Sequence, residues 1–284
     1  MSHRTDPETG GEKGAGSPPE IVRLFDLEAL DGDAFQITAT GGIGRERLFG
    51  GQVAAQSLRA ACLTVGAGRL PHSLHAYFIR PGTPGEPLRL DVARTRDGRA
   101  FSTRHVTAAQ GGKPIFEMIA SFHDPEPGFD WQAGPRPDAP PPGRLEPPEF
   151  PAFIRHPPGF EFRVVKPPRP NGFPIPHPFW IRCREPLGDD LTLHACLITY
   201  LSDMAVVSSS RAPGSPRELA AAVSLDHALW FHRPARVDEW LLFSADPASN
   251  FGARALARGT LHTEDGVLVA SLAQEALLRP AGGS

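Results

Sequence analysis

The chain has 284 residues, enough for two ordinary domains or one large one with a sizeable core. A formal net charge of -3 and a pI near 6.4, with the arginines scattered rather than clustered, give no sustained basic surface and exclude nucleic acid as an expected partner. No run reaches the roughly 18 to 20 apolar residues of a membrane span, so no membrane partner is expected either.

Residues 1–20, MSHRTDPETGGEKGAGSPPE, are polar, Gly-rich and without an apolar signal core, and predict a disordered tail. From Ile21 to Leu30 a short amphipathic helix is expected, and DAFQITAT, 33–40, alternates like an edge strand. FGGQVAAQSLRAACLTV, 49–65, has helical spacing, with Gly50 and Gly51 marking its start. The period then changes to two in 72–81, 87–98, 100–112 and 113–124, separated by Pro and Gly turns. That predicts a helix followed by an antiparallel four-stranded meander.

Between Pro125 and Pro178 lie 18 of the 32 prolines, which excludes helix interior or central strand and predicts a surface linker, with an isolated strand at 160–165. After a candidate strand at 178–187, LTLHACLITYLSDMAVV (191–207) is apolar on nearly every side, so it predicts a buried helix. That helix carries one carboxylate, Asp203, over a seam of Thr192, Cys196 and Thr199. A buried carboxylate needs a partner or a task, and this stretch leaves open whether Asp203 is structural or functional. Strand periodicity returns at 221–234, 239–247, 250–266 and 267–280.

The order helix then four strands thus occurs twice, and short echoes support a repeat. Phe78, Arg80 and Pro81 recur as Phe231, Arg233 and Pro234, and Phe101 and Arg104 recur as Phe251 and Arg254. The expected division is a tail (1–20), an N-terminal unit (21–124), a proline-rich linker (125–177) and a C-terminal unit (178–284). A long helix wrapped by a curved antiparallel sheet, present twice, is an α+β tandem (double) hot dog. The motifs LFGGQVAAQSL (48–58), HSLHAYFIRPG (72–82), GKPIFEMIASF (112–122), YLSD (200–203), SLDHALWFHRP (224–234) and DGVLVASLAQEALLR (265–279) resemble the acyl-CoA thioesterase II family from about Leu24 to Arg279.

That resemblance implies hydrolysis of acyl-CoA substrate to a free acid and CoA, a homodimer or homotetramer, and three catalytic positions: Asp203, Ser224 and Gln274. The family often has Thr where this chain has Ser224, and either hydroxyl can donate and accept. A thioester is already activated, so hydrolysis needs a positioned water, a base and a donor for the developing oxyanion. Burial should raise the pKa of Asp203, and hydrogen bonds from Ser224 and Gln274 should hold it ionised.

Setting Phe49 opposite His194 aligns Gly50 and Gly51 with Ala195 and Cys196, and Leu58 with Asp203; Pro71 then stands opposite Ser224 and Ala120 opposite Gln274. One repeat kept the glycines and the other the acid, which predicts one composite site. There the backbone near Gly50, Gly51 and Gln52 would serve as oxyanion donor, with His72 as a further substrate-binding candidate. The glycines could equally serve close helix packing.

The three cysteines, Cys62, Cys183 and Cys196, lie in apolar sequence without CxxC or Cys/His metal spacing. They predict reduced core thiols, a cytoplasmic protein, no metal and no cofactor. The terminal AGGS is not a peroxisomal address. No GxSxG elbow, GxGxxG after a strand, or P-loop occurs. Two other functions fit the fold: a non-catalytic acyl-CoA-binding module, and a hot dog enoyl-CoA hydratase. The second is weakened because Asp226 and His227, adjacent on a strand, point to opposite faces.

Overall fold

The computed structural model describes residues 19–38, 47–149, 159–167, 176–215 and 218–281. Most of the expected tail, the end of the strand at 33–40 and parts of the proline-rich segment lie outside them. The strands of the first half are β1 (Glu28–Ala29), β2 (Ala34–Thr38), β3 (Leu70–Phe78), β4 (Pro87–Asp97), β5 (Phe101–Gln110) and β6 (Lys113–His123), with helix α1 (Gly50–Cys62) between β2 and β3. Those of the second are β7 (Phe160–Val164), β8 (Phe179–Cys183), β9 (Leu219–Ser224), β10 (Asp226–Phe231), β11 (Leu241–Phe251), β12 (Arg254–Thr263) and β13 (Leu268–Pro280), with α2 (Leu191–Ser202) and α3 (Val206–Ser209) between β8 and β9.

One continuous sheet runs in the order β1-β2-β4-β5-β6-β3-β10-β13-β12-β11-β8-β7, with β9 also on β13. The order reads the same from either end once the halves are exchanged, and the halves join where β3 pairs antiparallel with β10, Leu74 opposite Leu229. The register carries the symmetry further. Pro71 pairs with Phe122 and Ser224 with Ala276, and in each half the ladder slips by one residue at the next position, His72 in one and Leu225 in the other.

Several expected elements take a different form. The segment from Ile21 begins as a short 3-10 helix, Glu20–Phe25, and then pairs through β1, so β2 is not the edge. The first half is not a simple meander: β3 pairs with β6 rather than β4, because residues 79–86 carry the chain across the open end of the half before the β4-β5-β6 meander begins. The strand at 160–165 is not isolated but pairs with β8 as an outermost strand. The stretch 221–234 is two strands, broken where the Leu225 amide turns to the Glu275 carbonyl.

The helices fill the concave face. α1 owes its place to small residues: Ala54, Ala55, Ala60 and Ala61 are at most 1% exposed and let α2 come close. α2 starts on Asp190, whose Oδ1 accepts from the amides of Thr192 (2.9 Å) and Leu193 (3.1 Å), satisfying two of the donors a helix start leaves free. Its interior is apolar all round and is buried on all sides from Leu193 to Ser202. The expected single helix over 191–207 is interrupted: Asp203 is the C-cap of α2, Ala205 takes a left-handed conformation (φ 61°), and α3 restarts after it. Residues 132–140 of the proline-rich segment lie against the strands of the second half, where Trp180 donates from Nε1 to the Pro140 carbonyl (2.9 Å) and Gln132 Oε1 accepts from the Leu268 amide (2.9 Å).

Candidate active site

The break after α2 determines where the acid points. Had the helix continued, Asp203 would lie on its flank; as the C-cap it turns toward the start of α1 in the other half. Its Oδ2 accepts from the Gly51 amide at 2.8 Å. Two glycines make that approach possible. A Cβ on Gly50 would come within 2.8 Å of Asp203 Oδ2, and one on Gly51 within 2.5 Å of the Tyr200 carbonyl oxygen. The pair thus lets the chain come close to two different neighbours, Gly50 to the acid and Gly51 to the Tyr200 backbone.

Asp203 is 8% exposed, and its Oδ1 has no hydrogen-bond partner among the described residues. Burial raises its pKa above the ordinary carboxylate value. His227, Gln274, the Gly51 amide and Ser224 oppose that rise without cancelling it. Ser224 ends β9 and Gln274 lies inward on β13, where Gln274 Nε2 donates to Ser224 Oγ at 2.8 Å. Gln274 is fully buried and stands behind Ser224, off the cavity wall.

A cavity of about 880 Å³ opens beside Asp203 and Ser224 at the seam between the halves. Gly50, Val53, Phe78 and Phe116 come from the first half, and Met204, Val207 and Ser224 from the second. Arg47 and Arg80 also line it, both exposed. The wall is mainly apolar with a polar end at Asp203, the pattern of a small-molecule site.

The structure thus brings together Asp203, Ser224, Gln274, Gly50 and Gly51. At the helix start, where an oxyanion donor was expected, the Gly51 amide donates to Asp203 Oδ2, and the Gln52 amide bonds to the Phe49 carbonyl (3.1 Å) as the first turn closes. The Gln52 side chain is buried away from the cavity wall. His72 stands apart as well. It sits at the sheet bulge, its Nε2 2.8 Å from Ser121 Oγ and its ring edge-on to Phe101, and it does not line the cavity.

One residue joins the cluster without having been expected there. His227 is fully buried, its Nδ1 2.5 Å from Gln274 Oε1 and its Nε2 2.8 Å from Ser202 Oγ. The inward parity of β10 was readable; the partners on α2 and β13 were not. Asp226 faces the other way, accepting from the Glu275 amide (2.6 Å) and lying 3.4 Å from His75 Nε2, so no Asp226–His227 pair forms. Among the described residues no group of three or more His, Cys, Asp or Glu is placed to hold a metal ion.

One continuous antiparallel sheet in two matching halves, each with one long helix on its concave face and a buried carboxylate at their seam, defines the class: a double hot dog protein. Models of the acyl-CoA thioesterase N-terminal domain and of acyl-CoA thioesterase match residues 39–123 and 169–277. The chain is 35% identical over 310 residues to human acyl-coenzyme A thioesterase 8, covering 98% of this chain and 97% of that one. It superposes with TM-score 0.77 and 38% identity on acyl-CoA thioesterase II TesB2 from Mycobacterium marinum, over 93% of this chain and 99% of that one. A hot dog protein from Alicyclobacillus acidocaldarius, 20% identical, shares the fold at TM-score 0.69 over 91% and 97% of the two chains. The chain belongs to the acyl-CoA thioesterase family.

Proposed function

We propose that this protein hydrolyses acyl-CoA thioesters at the seam of its two halves, with Asp203 as the base and Ser224 beside it holding the water. One observation carries the reading: in a cavity with an apolar wall, a buried carboxylate has one oxygen fixed by a backbone amide and the other without a partner among the described residues. Water at that free oxygen would give its proton to Asp203 as its own oxygen bonds the thioester carbon. The carbon–sulfur bond then breaks, and the proton passes on to the departing thiolate. A base with a raised pKa is better matched to that transfer than an ordinary carboxylate. Gln274 acts one step back, on Ser224. The Val53, Phe78 and Phe116 side of the cavity suits an acyl chain.

The proposed halves are 21–124 and 178–284 with 125–177 between them, a connection whose strand β7 extends the second half's edge at β8. Three unpaired, buried cysteines support a cytoplasmic location. Exposed Tyr77, Ile119 and Trp230 on the outer sheet face support a homodimer or homotetramer.

The test is thiol release from acyl-CoAs of graded chain length, followed with a disulfide reagent. Turnover that is lost in Asp203→Asn is expected. Saturable acyl-CoA binding without turnover would replace this reading with a non-catalytic binding module.

A further inference from the structure

His227 has no part in the proposed reaction as so far described, yet every polar atom of its ring is engaged. From Ser202 on α2, contacts run through His227 to Gln274 and on to Ser224 at the cavity: Ser202 Oγ to Nε2 at 2.8 Å, Nδ1 to Gln274 Oε1 at 2.5 Å, Gln274 Nε2 to Ser224 Oγ at 2.8 Å.

The proton inventory of this chain is restrictive. An amide has a donating end and an accepting end, and a neutral imidazole has one of each. Against Nδ1–H, Gln274 must present its carbonyl oxygen, so its NH₂ faces Ser224. The Ser224 oxygen then accepts, and its single proton stays free for Asp203 or a water. Against an unprotonated Nδ1, the amide would turn over and its carbonyl would draw the Ser224 proton away from the cavity. The ring's tautomer therefore decides where the Ser224 proton points. Burial keeps the ring toward its neutral form, against the pull of Asp203. The Ser202 hydroxyl lies 2.8 Å from both the Thr199 carbonyl, to which it donates, and Nε2; turning its one proton from that carbonyl to Nε2 leaves the ring's own proton on Nδ1.

The first half shows what the position holds when no site is built. Counted from the matched bulges, Leu74 stands where His227 stands and Ala120 where Gln274 stands, and Leu74 pairs directly with Ala120. An apolar pair fills the same place in the sheet, 3% and 1% exposed, so the fold does not call for a histidine there.

We infer that His227 is a positioning residue: protonated on Nδ1, it fixes the Gln274 amide so that Ser224 keeps its hydroxyl proton for the reacting water and Asp203. This rests on the hydrolytic reading above.

The test compares His227→Leu, His227→Asn and His227→Gln in the full chain, each alone and combined with Gln274→Ala, by kcat and KM for an acyl-CoA substrate. Asn can offer an amide N–H near the place of Nδ1, and Gln near that of Nε2. His227→Leu and His227→Gln should lower kcat about tenfold or more with KM little changed, the scale of leaving one buried polar group without its partner. His227→Asn should recover much of that loss. In the Gln274→Ala background, all three should make little further difference, because the amide they act through is gone. Equal losses in His227→Asn and His227→Gln, or losses undiminished without Gln274, would overturn the inference, and this comparison stands even where His227→Leu does not fold. Asp203→Asn separates the two levels. Activity surviving in Asp203→Asn sinks the assignment of Asp203 as base on which this inference rests, whereas an inactive Asp203→Asn beside a fully active His227→Leu sinks only the role of His227.

Discussion

The Gly51 amide and the Asp203 carboxylate, 152 residues apart in the chain, meet at 2.8 Å across the seam between the two halves. The bond joins the start of one helix to the end of the other, so the acid is held by the half that lacks one. A helix N-terminus favours an anion, and the bond should keep Oδ2 in place while Oδ1 does chemistry.

Asp203→Asn retains an oxygen for the Gly51 amide and removes the base. In a folded variant kcat should fall by roughly 10² or more, the usual scale of general-base loss, with KM little changed. Single-turnover and steady-state rates of thiol release check this, and near-normal kcat would show the acid to be structural.

The pH dependence follows from the direction of the Asp203 shift. Its pKa lies above the ordinary aspartate value of 3.8, so the acid limb of kcat/KM should have its midpoint above an ordinary carboxylate's, and Asp203→Asn should abolish that limb. Stability has the opposite sense. A folded pKa above the unfolded one means the native state loses stability as pH rises from near 3.8 to the raised value, and the full cost persists above it. Asp203→Asn should therefore gain on the wild type at neutral pH, and the gain should shrink as pH falls toward 3.8. Thermal unfolding across that range measures it.

The helix glycines should fail in different ways. A Cβ on Gly51 meets the Tyr200 carbonyl, which is backbone and cannot move aside, so Gly51→Ala should destabilise the α1–α2 contact by about 1–3 kcal/mol. A Cβ on Gly50 meets only side-chain ends, Phe78 and the Asp203 carboxylate. Gly50→Ala should leave the melting temperature nearer the wild type and lower kcat by displacing the acid. Equal effects of the two on stability and rate would contradict this division.

Part of the site was legible in the chain. Asp203 stood out as the one charge in an apolar stretch, whereas Ser224 and Gln274, a strand serine and a strand amide, were pointed to only by the family resemblance. Four things were not legible. The break after Ser202 depends on Ala205 taking a left-handed conformation, for which alanine gives no signal. The bulge at Leu225 follows from Asp226 capping the Glu275 amide, a contact across strands. The bond from the Gly51 amide to Asp203 depends on how two helix ends 152 residues apart meet across the seam. His227 was obscured for the same reason: a buried strand histidine reads as structural until its neighbours are known.

Ser224 should be replaceable by threonine and not by alanine. Its Oγ accepts from Gln274 Nε2 and lines the cavity beside Asp203. Ser224→Ala leaves a buried amide N–H unpaired, at about 1–3 kcal/mol, and removes the hydroxyl from the water's surroundings. Its kcat should fall at least tenfold or so on that scale, while Ser224→Thr stays within a few-fold. Steady-state kinetics on both variants decides it, and equal activity of the alanine variant would remove Ser224 from the site.

The mirror position in the first half should not support a second site. Leu58, Pro71 and Ala120 stand where Asp203, Ser224 and Gln274 stand, and Leu58 and Ala120 are 0% and 1% exposed in the apolar core. The partner helix start offers Ala195 and Cys196 in place of the glycine pair, so no close backbone approach is built in there. An acid introduced by Leu58→Asp would be buried without the hydroxyl and amide that Asp203 has. The variant should lose about 3–5 kcal/mol, as an unpaired buried charge does, and gain no activity. Combined with Asp203→Asn, Leu58→Asp should leave turnover at the level of Asp203→Asn alone. Recovered thiol release in that double variant would show that the two halves are interchangeable, and that the glycine pair and the Ser224–Gln274 pair are dispensable.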